Sequence, residues 1–190
     1  HGNYSKKLRK KIDTNEIEEI WNGDKEKKKL GVEYFGVGDL EVSHNDKYLA
    51  YSLDTKGSEY YTIFVRQIIS NKIITKEITN TSGSVTFSLD DKYIFYSQLD
   101  ENHRARKIFR HEIGDFNNTD DLIFEEKSEA FTVGIGISSD EKYYFITTSD
   151  HNTSEQYYFK VNEKKPKPKI IKEREKGILY SVNSWDNKFY

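Results

Sequence analysis

The sequence predicts an all-β protein, a partial and open β-propeller made of four-stranded antiparallel blades. Three observations predict this fold class. A polar turn motif returns every 45 to 50 residues, alternating apolar side chains fill each interval, and helical periodicity is nearly absent. Four short strands in such an interval are typical of a propeller blade, whereas a Greek-key sandwich does not require its turns to return at this spacing.

The repeated turn is a short polar segment that ends in a lysine. The four lysines are Lys47, Lys92, Lys142 and Lys188, so successive copies are 45, 50 and 46 residues apart. Aspartate and asparagine precede each lysine or lie beside it, and they favour turns because their side chains hydrogen-bond to their own backbone. The fourth copy, 182–190, is the most degenerate.

Each interval contains four predicted strands in a fixed order. The first precedes the turn, the second begins at the aromatic residue that follows the lysine, and the third and a short fourth complete the interval. The first strands are predicted at 40–42, 85–87, 133–137 and 178–182, the second from 48, 93 and 143, the third at 61–65, 108–110 and 157–161, and the fourth at 73–74, 122–124 and 170–171.

The boundaries follow from this order, and all parts belong to one propeller domain. Residues 16–21 are compatible with a strand or a short helix, and Asn22-Gly23-Asp24 predicts a turn. The stretch 164–168 contains both prolines and predicts a loop between a third and a fourth strand. The predicted parts are the end of a preceding blade with its connection at 1–33, blades at 34–80, 81–126 and 127–172, and the start of a truncated blade at 173–190.

About three complete blades and parts of two more cannot form a ring. A propeller protects its sheet edges by closing a ring of roughly four to eight blades. We therefore expect the chain to be a fragment of a larger propeller.

Composition indicates a folded chain with a heavily charged surface. Charged residues make up 33% and apolar residues 35%, but 14% are aromatic, and disordered chains are poor in aromatic residues. The net charge of −2 is too small to hold the whole chain on nucleic acid or an anionic membrane, and no apolar run is long enough to span one. We expect neither partner. A solvated terminal arm is the preferred interpretation of the basic cluster at 6–11, with phosphate binding as the alternative.

Motifs for catalysis and cofactors are largely missing from the sequence. With no cysteine there is no disulfide, thiol nucleophile or thiolate metal site, which fits a reducing, cytoplasmic location. The sequence contains no Gly-x-Ser-x-Gly elbow and no HExxH. Gly134 and Gly136 are expected to allow close packing at a crowded inner strand. We expect no catalytic residue, no cofactor and no metal in this chain.

One loop carries many side-chain oxygens. Residues 115–121 lack the central glycine and distal glutamate of an EF-hand, so we interpret them as a solvated turn and not as a calcium site. The oxygen-bearing residues are Asp115, Asn117, Asn118, Asp120 and Asp121.

The predicted hairpin 99–111 is more basic than its counterparts and supplies the candidate functional residues, Arg104, Arg106 and Arg110. Arginine can grip a carboxylate with two donors at once. One interpretation pairs these arginines with acidic residues of the same blade, namely Asp100, Glu101, Glu112, Glu125 or Glu126. The other directs them to a second domain or to the carboxylate of a peptide.

Several segments share one register with a known family over nearly all 190 residues: Glu33-Tyr34-Phe35 with Gly38, Leu49–Ser52 with Asp54, Asn80–Ser84, Phe95-Tyr96, Leu99–His111, Phe124–Glu126, Tyr180–Val182 and Phe189-Tyr190. Together they resemble the prolyl oligopeptidase family of serine peptidases. Two sites depart from the pattern: His44-Asn45 stands where a proline-acid pair is usual in such turns, and Ala105 stands where the family tends to have proline.

The resemblance implies a seven-bladed propeller that caps a C-terminal α/β-hydrolase domain, with the Ser-Asp-His triad in that second domain. It further implies cleavage of short peptides after arginine or lysine, with the propeller acting as a lid that excludes large proteins. This chain would be a non-catalytic part of the lid. The alternative is a standalone, propeller-like module that binds a protein or peptide and closes by self-association.

Overall fold

The computed structural model describes residues 2–117 and 119–190, and it is nearly all-β. Three successive antiparallel four-stranded arrays form the body of the chain, which confirms the predicted fold class. Among the described residues, no helix is long and apolar enough to cross a membrane.

The first array contains β3 to β6, the second β7 to β10 and the third β11 to β14, each joined in chain order. The second strands begin at Tyr48, Tyr93 and Tyr143, as the sequence predicts. The bounds are β3 (Gly36–Val42), β4 (Tyr48–Asp54), β5 (Tyr61–Gln67), β6 (Lys72–Ile73), β7 (Ile78–Phe87), β8 (Tyr93–Leu99), β9 (Ala105–Glu112), β10 (Asp121–Glu125), β11 (Thr132–Ile137), β12 (Tyr143–Ser149), β13 (Ser154–Lys160) and β14 (Lys169–Lys172).

The turn between the first two strands has the same construction in all three arrays. A buried serine accepts a hydrogen bond from the backbone N–H that begins the second strand, at 2.9 to 3.0 Å. One residue of each turn has a positive φ, between 53° and 57°, and aspartate, which tolerates this conformation, occupies two of the three positions. The serines are Ser43, Ser88 and Ser138, and the positive-φ residues are Asp46, Asp91 and Glu141.

Neighbouring turns are also bonded to each other. The Asp91 carboxylate accepts hydrogen bonds from the backbone N–H groups of His44 at 2.9 Å and Asn45 at 2.8 Å. Proline has no N–H to donate. The departure at His44 from the family's proline therefore adds a bond between two arrays.

Strand β7 belongs to two arrays. Its first residues pair with β5, where Ile63 faces Ile78 and Tyr61 faces Thr81, and its last residues pair with β8. The register shifts between Thr81 and Val85, where the chain passes from the outside of one array to the first strand of the next. This crossing connects the first two arrays into one hydrogen-bonded sheet.

The hydrophobic core consists of three clusters in the spaces between successive units. One cluster lies between the first and second arrays and includes Ile63 and Ile94, which are fully buried. A second lies between the second and third arrays and includes Ile108 and Ile146. Side chains from both faces of each inner sheet thus enter a core, as expected for blades that pack face to face. The third cluster joins the first array to the N-terminal segment, around Trp21.

The N-terminal segment differs from two predictions. The basic cluster is not a solvated arm: β1 (Lys6–Lys10) pairs with β2 (Ile17–Asn22), and Lys7 donates a hydrogen bond to the carbonyl of Leu40. Asn22-Gly23-Asp24 does not form a turn but begins the helix α1 (Gly23–Leu30). Asn22 caps this helix by accepting from the N–H of Lys25, and asparagine is among the preferred N-cap residues.

The last segment contains a short hairpin, β15 (Ser184–Trp185) with β16 (Lys188–Phe189). The strand predicted at 178–182 is wrong. The backbone of this segment bonds mainly to side chains of β13 and does not form a ladder with the backbone of that strand. Tyr180 donates from its backbone to Ser154 Oγ, and Val182 donates to the side-chain carbonyl of Gln156. In the described part of the chain, β3 pairs only with β4, so the arrangement is open.

Gly134 and Gly136 do not mark a crowded strand. Apart from its two chain neighbours, a Cβ atom built on either glycine would have no atom within 4 Å among the described residues. The expectation of close packing is therefore wrong for both positions.

Candidate functional site

The three candidate arginines lie on one hairpin but in three different environments. Arg104 is in the loop between β8 and β9, Arg106 is near the start of β9, and Arg110 is near its end. A strand advances about 3.3 Å per residue, so Arg104 and Arg110 are separated by about 20 Å along the chain. They cannot contact the same small group.

Arg110 is paired within its own array. Its Nε and Nη2 atoms donate to Asp121 Oδ2 at 3.2 and 2.6 Å, and Nη2 also donates to the carbonyl of Lys164 at 3.1 Å. The guanidinium carbon lies 4.3 Å from the centre of the Tyr93 ring, a cation–π distance. The Arg110 side chain is 9% exposed, and its pairing with Asp121 is therefore an internal, structural contact.

Arg106 connects the hairpin to the segment that leads to the third array. Nε and Nη2 donate to the backbone carbonyl of Glu126 at 3.0 and 2.8 Å, and Nη1 lies 3.6 Å from Asp100 Oδ2. Asp100 and Glu126 are both among the partners expected for intra-blade pairing, although Glu126 contributes its backbone oxygen.

Arg104 differs from the other two because its side chain is exposed and makes no hydrogen bond to the described residues. The loop that presents it is well defined. Asp100 accepts hydrogen bonds from the backbone N–H groups of Asn102 and Arg104, at 2.9 and 3.0 Å. Burial alone raises the pKa of Asp100, but these hydrogen bonds and the nearby arginines outweigh it and lower the pKa.

A second loop supports the first. The Tyr60 ring lies against the His103 ring, with centroids 4.1 Å apart, and the Tyr60 hydroxyl donates to the carbonyl of Asp100 at 2.9 Å. Tyr60 belongs to the loop between β4 and β5, the counterpart of the Arg104 loop in the preceding array. Equivalent loops of neighbouring arrays therefore form one continuous surface, which we call the hairpin surface (55–60 and 100–104), with Arg104 exposed on it.

A second ionic cluster joins the segment after β10, strand β13 and the segment after β14, and no sequence motif predicts it. Arg174 Nη2 donates to Glu126 Oε2 at 2.7 Å and to Glu155 Oε1 at 2.9 Å, and its guanidinium lies 3.9 Å from the centre of the Phe131 ring. The side chains of both glutamates are 6% exposed. Burial alone raises their pKa values, but Arg174 and the neighbouring N–H and O–H donors lower both. One arginine thus joins three chain segments.

The 115–121 loop divides its acidic residues among separate partners. Asp120 accepts from His111 at 2.9 Å, from the Tyr96 hydroxyl at 2.6 Å and from Lys76 at 2.9 Å. Burial raises the pKa of Asp120 by itself, but these three contacts outweigh it and lower the pKa to about 2. Asp121 bonds to Arg110, and Asp115 accepts from Asn117 within its own turn. Asn118 lies outside the described residues.

Within 2–117 and 119–190, no group of three or more histidine, aspartate or glutamate side chains is arranged to hold a metal ion. The ionisable clusters that the structure does form are each joined by internal hydrogen bonds.

Comparison with known proteins agrees with this architecture. Residues 11–190 match the family described as prolyl oligopeptidase, N-terminal beta-propeller domain. Protease 2 of Moraxella lacunata is 30% identical over 157 residues, which cover 82% of this chain and 23% of the relative. Dipeptidyl aminopeptidase BI of Pseudoxanthomonas mexicana is 32% identical over 126 residues, which cover 66% of this chain and 17% of the relative.

Solved structures lead to the same conclusion. Oligopeptidase B from Leishmania major aligns with a TM-score of 0.84 and 23% identity, over 93% of this chain and 25% of that one. Oligopeptidase B from Trypanosoma brucei aligns with a TM-score of 0.80 and 28% identity, over 90% and 24%. The chain spans about a quarter of the length of these proteins. The resemblance inferred from the sequence is confirmed.

Proposed function

The chain belongs to the prolyl oligopeptidase family as part of its N-terminal β-propeller domain, and from this premise we propose that it is a non-catalytic lid fragment of a serine oligopeptidase. The whole protein would resemble protease II and cleave short peptides after arginine or lysine. This chain would contribute to the filter that admits peptides and excludes large folded proteins.

The observation that carries the proposal is the family match over residues 11–190, which is specific to the propeller domain. The open arrangement of three arrays supports it, because an open propeller requires further blades to cover β3 and the last hairpin. In this proposal the blades are 34–80, 81–126 and 127–172, flanked by parts of two more at 1–33 and 173–190, in a parent of seven blades.

The parent's C-terminal α/β-hydrolase domain would supply the nucleophile and would be the first partner of this chain. Short basic peptides would be the substrates of the parent, and the protein would act in the cytoplasm. We assign Arg104 the contact with that domain or with a peptide carboxylate, because its side chain is exposed on an ordered loop. Arg106 and Arg110, which are paired internally, would hold the blades in register.

Two assays of the isolated chain and the full-length protein test this proposal. The isolated chain should not hydrolyse chromogenic peptides that end in arginine or lysine, whereas the full-length protein should. Turnover by the pure chain that is sensitive to a serine reagent would contradict the proposal.

The size filter has its own test in the full-length protein. Asp91→Ala removes the carboxylate that bonds two neighbouring turns, so it should increase cleavage of a large folded protein relative to a short peptide. Asp90→Ala is the matched control, because Asp90 bonds within its own turn to Ser88 and Lys92. Equal ratios for Asp91→Ala and the unaltered protein would contradict a filter that depends on blade contacts.

The alternative is a binding module that closes by self-association. It is favoured by the unpaired edge of β3 and by Trp185 and Tyr190, which are 63% and 67% exposed at the other end of the arrangement. Sedimentation of the pure chain distinguishes the two functions. A discrete symmetric oligomer supports the module, whereas a monomer or a heterogeneous aggregate supports the fragment.

A further inference from the structure

A cavity of about 480 Å³ lies between the second and third arrays, at the opposite end of β9 from Arg104. This volume is within the usual range for small-molecule sites, roughly 300 to 1,000 Å³. The cavity is separate from the hairpin surface, so it does not depend on the proposed function. Its walls include Leu89, Tyr93, Phe95, Arg110, Phe159 and Pro166.

The floor of the cavity is apolar. Phe95 and Phe159 are 3% and 2% exposed, belong to the core cluster between the two arrays and lie with ring centroids 5.9 Å apart. The proline-containing loop 161–168 forms one wall through Val161 and Pro166, and Tyr93 contributes another. Above this floor, a flat or branched hydrocarbon group would contact Tyr93, Val161 and Pro166 on separate sides.

Arg110 places hydrogen-bond donors at this apolar cavity. A guanidinium carries five N–H donors. Nε and Nη2 bond to Asp121 and to the carbonyl of Lys164, but Nη1 bonds to none of the residues that the structure describes. The guanidinium carbon also lies 4.3 Å from the centre of the Tyr93 ring. These contacts hold the guanidinium in place, and Nη1 has no partner among the described residues.

The two carboxylates of the cavity wall do not compete for that nitrogen. Asp90 accepts from the Ser88 hydroxyl at 2.7 Å and lies 3.4 Å from Lys92 Nζ. Glu163 accepts from the backbone N–H groups of Lys160 and Lys167. Lys92 and Lys164 are exposed at the wall and add positive charge. Nη1 thus offers N–H donors beside an apolar floor, on a guanidinium whose charge is already paired with Asp121.

We propose that this cavity binds a small monocarboxylate with an aromatic or branched aliphatic group. The carboxylate accepts hydrogen bonds from Arg110 Nη1, and the hydrocarbon group packs against Tyr93, Val161 and Pro166, above the floor that Phe95 and Phe159 form. A free aryl acid and the C-terminal carboxylate of a hydrophobic peptide share this chemistry.

Titration calorimetry on the chain with three probes tests the chemistry. The probes are phenylacetate, N-acetyl-phenylalanine and N-acetyl-phenylalanine amide. The two acids should bind with a Kd at least tenfold lower than that of the amide. Binding of N-acetyl-phenylalanine alone would identify a peptide terminus as the source, and binding of both acids would show that a free acid suffices. Equal affinity for the amide, or no binding of either acid, would overturn the proposal.

Two variants test the location. Arg110→Gln should raise the Kd of the acids at least tenfold, and Val161→Trp should do the same by filling the cavity without altering Arg110. Arg9→Gln is the control, because Arg9 also pairs with a carboxylate, Glu18 at 2.7 Å, but lies on β1. If Arg110→Gln does not fold, the Kd of the acids for Val161→Trp shows whether they bind in this cavity. Acid binding that survives Val161→Trp, or that is equally weakened by Arg9→Gln, would overturn the assignment to this cavity.

Discussion

Ser52 Oγ donates a 2.6 Å hydrogen bond to the carbonyl of Gly83, at the point where the chain crosses from the first array to the second. Ser52 is fully buried on β4, and the same hydroxyl accepts from the backbone N–H of Asp39. Ser97, the corresponding residue of the next array, donates to the carbonyl of Val133 at 3.2 Å. Each of these second strands thus holds the first strand of the following array.

Gly83→Ala should destabilise the chain by about 2 to 3 kcal/mol. The φ of Gly83 is +91°, which alanine adopts only with strain, and a new Cβ would meet the Tyr61 ring at 2.9 Å. Gly134→Ala is the control and should change stability by less than about 1 kcal/mol, because the space around it is open. Urea unfolding measures both, and equal effects would contradict the role of the crossing.

Arg174→Gln should destabilise the chain by about 3 kcal/mol, because it leaves Glu126 and Glu155 buried without their shared cation. Lys172→Gln removes a cation two residues away whose pairing with Glu175 is exposed, and it should cost less than about 0.5 kcal/mol. Thermal unfolding of the two variants checks this difference. A small effect of Arg174→Gln would mean that the glutamates are protonated or hydrated.

Asp120→Asn should remove a stabilising contribution that depends on pH. The pKa of Asp120 is about 2 in the folded chain, whereas its ordinary value is 3.8. The charged carboxylate therefore makes its full contribution to the free energy of unfolding when the pH is above 3.8. This contribution, about 2 kcal/mol, decreases as the pH falls from about 4 to 2.

The free energy of unfolding of Asp120→Asn should therefore differ most from that of the unaltered chain near pH 7. The difference should shrink in acid. Asp115→Asn, in the same loop, serves as the control because Asp115 bonds only locally to Asn117. A difference for Asp120→Asn that is constant with pH would contradict the depressed pKa.

In the full-length protein, Arg104→Gln and Arg106→Gln should change different properties: the first should change peptide turnover and the second should lower stability. Arg104→Gln should alter peptide turnover at an unchanged Tm, because its side chain bonds to none of the described residues. Arg106→Gln loses two hydrogen bonds to Glu126 and should cost about 2 kcal/mol of stability. Peptide kinetics and melting curves separate the two, and normal turnover by Arg104→Gln would leave the hairpin with a structural role.

The repeat determined most of the fold, because a strand start depends on local sequence. Tyr48, Tyr93 and Tyr143 each follow a polar turn whose aspartate and serine side chains bond to the nearby backbone, so period-2 alternation located the second strands. The sequence does not predict helix α1. Asn22 and Gly31 are ordinary cap residues, but the segment between them has little apolar periodicity.

Tertiary structure alone decided which charged side chains have partners. Arg104, Arg106 and Arg110 look alike in the sequence, yet Asp121 and the carbonyl of Glu126 hold two of them and leave the third exposed. The 178–182 segment likewise has strand alternation, but the side chains of Ser154 and Gln156 take its backbone hydrogen bonds. The sequence determined the repeating strands because their signal is local. The partners of these side chains and backbone groups are 11 to 26 residues away in the sequence, and only folding brings them together.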